Sequence, residues 1–308
     1  MKKIKRKFFD KKLLFYCCLI ALPLIQYSIF YVYVNINSFI LAFTNVDAVG
    51  NTSSAGFSNF VRVWNALFNN GESAENKIHA VYFRNAVVDY LVRTIIGTGG
   101  SLFFSYYIYK KQLCGGIFKV ILFLPQIIPG IAFISIYKMG LNNCISPMLG
   151  SMGVDIDVLI SANSPVVYEM VLFYSLFVSF GTQTMMYLGA MNKINPSITE
   201  AGQLDGVTFI REFVSITVPC IFSTIGTFIV VGLTGIFASD FGLYSFFQGN
   251  APIKTRTIGY YIIKLTRDNT DNEVLWPYIS TLGLYFTLVV APVTLCLKRL
   301  LDKLDPTK

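Results

Sequence analysis

The sequence predicts an all-α polytopic membrane protein with six transmembrane helices and both termini in the cytosol. Three observations carry this. Of 308 residues, 54% are hydrophobic and 14% charged, against roughly 25% charged in an ordinary soluble domain, and the mean hydropathy is +0.57. Six apolar runs reach the length that crosses a bilayer. Lys and Arg gather at alternate ends of those runs: seven before the first, three in the loop after the second, two after the fourth and four after the last, sixteen of the 25. Cytoplasmic segments hold such charge, so the net charge of +8 is a topology signal and no nucleic-acid partner is expected.

Residues 1–12 form a basic tail, and span one follows at 13–34. That run is too long for the apolar part of a signal peptide and lacks a clear small-residue cleavage site, so it reads as an uncleaved helix. Residues 35–84 read as an extramembrane loop with an amphipathic piece at 57–68. Span two covers 87–109. Its Gly97, Ser101 and Ser105 share a face at steps of four, which lets another helix approach closely. Asp89 and Arg93 are also four apart, near the outer end, where they can pair. Span three covers 120–140 and holds Pro125 and Pro129, which fit either a packing kink or a bend that shapes a cavity.

A polar loop leads to span four, 166–191. Ser175, Ser179, Gln183 and Tyr187 stand at steps of four with Thr182 beside them. Polar groups in lipid must face protein or water, so this line is either interhelical hydrogen bonding or the wall of a path for a polar, uncharged solute. Span five covers 219–239 and span six 275–297, with Trp276 and Tyr278 as interfacial anchors. The chain forms a single transmembrane domain with no separate soluble part.

Soluble-site chemistry has little to work with. There is one His, and most of the six Cys lie inside apolar runs without a C-x-x-C, which suits buried thiols acting as small apolar residues. No phosphate-binding G-x-x-x-x-G-K-[ST] occurs.

The loop 192–218 stands apart. Asn195-Pro196 sets up a helix start. Ser197 and Thr199 are candidate caps, with Glu200 three residues after Ser197 as a capping box requires. A short helix over 197–204 ends at Asp205-Gly206, a turn signal. A second over 208–217 puts Phe209, Phe213 and Ile216 on one face, and Pro219 breaks it. Two short helices with apolar faces need a cover: either this chain's own spans or a socket on a cytosolic protein.

These residues carry a resemblance. Glu200-Ala201-x-x-x-Asp205-Gly206, followed by Phe213, Ile216 and Pro219, resembles the EAA motif of ABC importer permeases, in the carbohydrate-type, maltose-transporter-like branch. Pro125, Ile194-x-Pro196, and Phe241 followed by Pro252, Thr255 or Thr257, and Tyr260 extend the match over most of the chain. Departures are Gly202 for the second Ala, Val207 for the Ala after Asp-Gly, and Asn250-Ala251 for a pair of glycines.

The resemblance implies a multi-pass permease subunit in the bacterial cytoplasmic membrane, and not an enzyme. A second, different permease subunit would share its membrane lipid surroundings. Two ATPase subunits would carry ATP and Mg, leaving no cofactor on this chain. An extracytoplasmic solute-binding protein would deliver a sugar or oligosaccharide. The helix around Glu200 becomes a cytosolic coupling helix between spans four and five, with Glu200, Ala201, Asp205, Gly206 and Phe213 as coupling residues. It also implies substrate-contacting positions at Thr182, with Ser179 nearby, and among Phe237, Ser239 and Asp240. Together with Gln183 and Tyr187 from the polar line these form the expected pathway. The competing reading is a stand-alone secondary transporter of a polar solute, which would place ionisable residues deep in the spans and show inverted repeats. A membrane enzyme would need a His, Asp or Glu cluster at one face.

Overall fold

The computed structural model describes residues 11–68, 80–152 and 158–306. The basic tail lies almost wholly outside the described residues, as does His79. Apart from one short hairpin and irregular loops the described chain is helical, and it divides into two compact units.

The first unit comprises residues 1–71 and 269–285. Helix α1, Phe15–Ala42, contains a π-helical turn at Ser28–Tyr33. It runs beyond the expected end at residue 34 because its polar side chains bond back into the helix: Asn35 donates to the Tyr31 carbonyl at 2.7 Å and Ser38 to that of Val34 at 3.0 Å. Strands β1, Thr44–Val46, and β2, Thr52–Ser54, pair antiparallel with Asn45 opposite Ser53. Helix α2, Ser58–Phe68, is the expected amphipathic piece. Buried Asn59 ties it down, donating to the carbonyls of Ala42 at 3.2 Å and Thr44 at 2.8 Å. The start of the final helix, Trp276–Leu304, belongs to this unit, and its Thr281 donates to the Ala42 carbonyl at 3.3 Å.

The second unit comprises residues 72–268 and 286–308. Helix α3, Ala80–Tyr109, is interrupted by a π-helical turn at Arg93–Gly97. The expected start near residue 87 falls short. Buried Asn85 makes an earlier start affordable by donating to the carbonyls of Lys254 at 2.8 Å and Arg256 at 2.9 Å.

Span three, expected as one run over 120–140, is two helices: α4, Gly115–Ile127, and α5, Gly130–Ser151, at 111° to one another. Proline disfavours the helical conformation of the residue before it, and Ile128 is accordingly extended at φ −75°, ψ 132° ahead of Pro129. Pro125, by contrast, lies inside α4. Helix α5 continues past residue 140, so the first part of the expected polar loop is helical.

Helix α6 is Val167–Met191. It packs on the small-residue face of α3, where Ser101 and Ser105 are fully buried and Ser105 donates to the Thr184 carbonyl at 2.8 Å. In lipid such close approach and interhelical bonding, rather than apolar burial, drive association.

Helix α7, Pro196–Leu204, opens the central loop. Helix α8, Phe209–Cys220, includes a π-helical turn at Phe213–Thr217 and meets α9, Phe222–Thr234, at 70°. The chain stays helical through Pro219 and bends at Ile221, so the break falls two residues later than expected. Short helix α10, Leu243–Phe247, and α11, Ile258–Asp268, follow, and α12 is Trp276–Leu304. Among the described residues four helices are long and apolar enough to cross a membrane, and the two bent pairs raise the number to six if each is one span.

Candidate functional site: a polar cavity and an exposed helix-turn-helix

Two regions of the second unit gather the residues singled out in the sequence. The first is the helix-turn-helix α7–α8. Asn195, not Ser197, caps α7: its side-chain oxygen accepts from the Ser197 N–H at 3.2 Å, and Pro196 occupies the first turn, where a missing N–H is harmless. Thr199 is buried and donates to the Pro196 carbonyl at 2.8 Å. Glu200, Ala201 and Asp205 are exposed, and Leu204 is 90% exposed. Gly206 takes the turn at φ +71°, a conformation that side chains strain to reach. The departure at Gly202 has a local cause: a Cβ there would meet the end of Ile216 at 2.6 Å.

Phe213 faces the other way. Its ring lies 5.0 Å from that of Tyr106 on α3, and Phe209 lies 4.7 Å from the same ring. Tyr106 donates to the Phe209 carbonyl at 3.2 Å. Beside them Lys110 pairs with buried Glu212 at 2.5 Å. Helix α8 is thus fastened to this chain's own α3, while α7 presents its charged and apolar residues outward.

The second region is an open cavity of about 610 Å³ among α3, α4, α5, α6, α9 and the segment after α9. Ser179, Thr182, Gln183 and Ser239 line it, with Gln126, Phe241 and Arg93. Tyr187 is fully buried below it in an apolar cluster, its ring 5.3 Å from that of Phe228. Phe237 packs instead against Phe286 and Phe83, at 5.2 and 5.8 Å. Asp240 caps α10: its carboxylate accepts from the N–H groups of Gly242 at 3.1 Å and Tyr244 at 3.2 Å. Ser175 lines the cavity beside Ser179 and Thr182, but its hydroxyl donates to Asp89 at 2.6 Å, and that of Ser179 donates to the Leu176 carbonyl at 2.7 Å.

The segment 240–260 holds the cavity's rim in place. Tyr260 is fully buried; its hydroxyl donates to the Gln248 carbonyl at 2.8 Å and accepts from the Ala251 N–H at 3.1 Å. Burial pushes its phenol up, and the Ala251 N–H opposes that shift. Phe241 stands at φ +54°, rare for an aromatic residue.

Sequence reading missed Arg93 as a cavity residue. The pairing with Asp89 is present, Nε to Oδ2 at 2.7 Å. It lies well inside α3 rather than at its end, because the helix begins at Ala80. The upstream Arg84 and Asn85 hid that extension from a hydropathy reading.

These features define a multi-pass helical membrane protein of permease type. Residues 97–308 match the family described as "Binding-protein-dependent transport system inner membrane component", and the chain belongs to that family. Its members are ABC-importer permeases, transport subunits that are not themselves catalytic. Among the described residues no group of His, Cys, Asp and Glu is placed to hold a metal ion.

Relatives include the maltose/maltodextrin transport system permease protein MalF of Vibrio vulnificus, 25% identical over 183 residues, 56% of this chain and 33% of that protein. The chain thus matches about a third of the length of that relative. The lactose transport system permease protein LacF of Rhizobium radiobacter is 23% identical over 243 residues, 77% of each chain. In three dimensions the fold is similar to a chain of a bacterial ABC transporter involved in the import of the acidic polysaccharide alginate, with TM-score 0.71, 19% identity and coverage of 95% and 96% of the two chains.

Proposed function

We propose that this chain is the transmembrane permease subunit of an ATP-driven carbohydrate importer of the bacterial cytoplasmic membrane. The observation that carries the reading is the division of labour in α7–α8: one helix is locked to α3 through Tyr106 and Lys110, and the other shows Glu200, Leu204 and Asp205 to solvent. A partner ATPase that grips α7 would move α8 and α3 together. Glu200, Ala201, Asp205 and Gly206 serve as the contact, and Phe213 transmits from behind it. Six spans with both termini cytosolic, counting each bent pair as one, put this loop on the ATPase side and agree with the Lys/Arg bias.

The complex comprises a second permease subunit, two ATPase subunits that hold ATP and Mg, and an extracytoplasmic solute-binding protein. Ser179, Thr182, Gln183 and Ser239 offer hydroxyls and an amide to a sugar, and Phe241 offers apolar surface. Polar groups beside an aromatic face suit a solute that is polar at its edges and apolar on its faces. Tyr187, Phe237 and Asp240 support that wall from behind.

The test is sugar uptake by cells with and without this chain, in the presence of an uncoupler that collapses the proton gradient while ATP is maintained. Chain-dependent uptake that survives supports the importer. Uptake that collapses with the gradient returns the stand-alone secondary transporter, for which the buried Asp89–Arg93 pair would then be the coupling site.

A further inference from the structure

Arg93 carries the one formal charge among the described residues that line the cavity. An ionisable pair inside an apolar helix is expensive and marks a functional position by default. This pair is also asymmetric. The Asp89 side chain is 5% exposed and that of Arg93 26%. Both Asp89 oxygens are engaged, one by Ser175 at 2.6 Å and one by the Arg93 Nε at 2.7 Å. The guanidinium lies 4.4 Å from the centre of the Phe241 ring. A guanidinium has five N–H donors, and Asp89 Oδ2 stands 2.7 Å from Nε as an ion pair. Among the described residues no hydrogen bond reaches either Nη group. The cavity therefore meets a cation whose counter-ion is hidden behind it.

Two backbone irregularities meet at this point. The π-helical turn of α3 begins at Arg93, and Phe241, which covers the guanidinium face, has φ +54°. Such turns and such strained residues concentrate at functional sites.

We propose that Arg93 is a specificity residue and that the carbohydrate this chain carries is anionic, bearing a carboxylate, sulfate or phosphate that pairs with the Nη edge. Asp89 and Phe241 position the guanidinium, and Gln126, Ser179 and Thr182 meet the sugar hydroxyls. A planar guanidinium matches such groups through two parallel hydrogen bonds, which an ammonium cannot reproduce. This inference rests on the carbohydrate-import reading above.

The experiment compares growth and uptake on matched oligosaccharides, neutral, uronate, sulfated and phosphorylated, in cells with the intact chain, without it, and with variants at the pair. The expected result is that deletion abolishes uptake of an anionic member and spares the neutral ones. Arg93→Gln should lower that uptake at least tenfold at equal membrane abundance, with Arg93→Lys intermediate. The double variant Asp89→Asn with Arg93→Gln removes both charges and covers the case in which the single variant fails to accumulate; it too should lose the anionic substrate. If the chain-dependent saccharide is neutral, or the double variant carries the anionic one normally, the assignment of Arg93 falls while carbohydrate import stands. If no saccharide depends on the chain, both fall.

Discussion

Lys110, at the end of α3, and Glu212, in the first turn of α8, form an ion pair 2.5 Å long with the Glu212 side chain only 5% exposed. It joins a membrane-crossing helix to the loop that follows α6. With Tyr106 packed against Phe209 and Phe213, it makes α3 and α8 one mechanical piece.

Removing one member should therefore be costly. Breaking a buried pair from one side costs about 3–5 kcal/mol because the other charge is left uncompensated. Glu212→Gln and Lys110→Met should each lower the melting temperature of the detergent-purified chain. The double variant should recover more than half of the loss. Additive losses would mean that the pair does not couple the helices.

Glu200→Lys should abolish transport and leave membrane abundance and melting temperature unchanged, because Glu200 is exposed and exposed substitutions rarely shift stability by more than about 0.5 kcal/mol. Uptake assays beside immunoblots of the membrane fraction check this. Normal uptake would remove Glu200 from the coupling contact.

The two glycines of the loop should behave differently. Gly202→Ala meets only the movable end of Ile216, and overpacking of that kind costs about 1 kcal/mol when a flexible side chain can turn away. Gly206→Val forces a β-branched residue to φ +71°, a strain of about 1–3 kcal/mol, and reshapes the exposed turn. Co-purification of the ATPase from detergent should persist with the first and weaken with the second.

The polar line of α6 should split by function. Thr182→Trp places a large ring in the cavity and should impair transport more than assembly, as uptake beside membrane abundance would show. Tyr187 is fully buried, so Tyr187→Ala should cost about 3–5 kcal/mol, as aromatic truncations in cores do, and lower the melting temperature instead. The reverse pattern would put the solute path on the other side of α6.

Much of this was legible in the sequence. The apolar runs, the amphipathic α2, the turn at Asp205-Gly206 and the Asp89–Arg93 pair all follow from local pattern. What was hidden was tertiary. Asn35, Ser38 and Asn85 look like loop residues until their bonds to helix or loop carbonyls are seen. Pro129 announces a bend but not a 111° reversal between two helices. A step of four assigns Ser175 and Ser179 to one face, and both line the cavity, but nothing local announces that Ser175 donates to Asp89 on a different helix. Phe213 fits the motif spacing, and only the packing against Tyr106 shows which way it points.

The central claim is that this chain works as one subunit of an ATP-driven assembly. A tagged copy purified from gently solubilised membranes, with its companions identified by mass spectrometry, tests that most directly. The expected result is an ATPase and a second, different polytopic permease in the same fraction, with recovery of the ATPase weakened by Gly206→Val. Recovery of the chain alone, folded and stable, would contradict it.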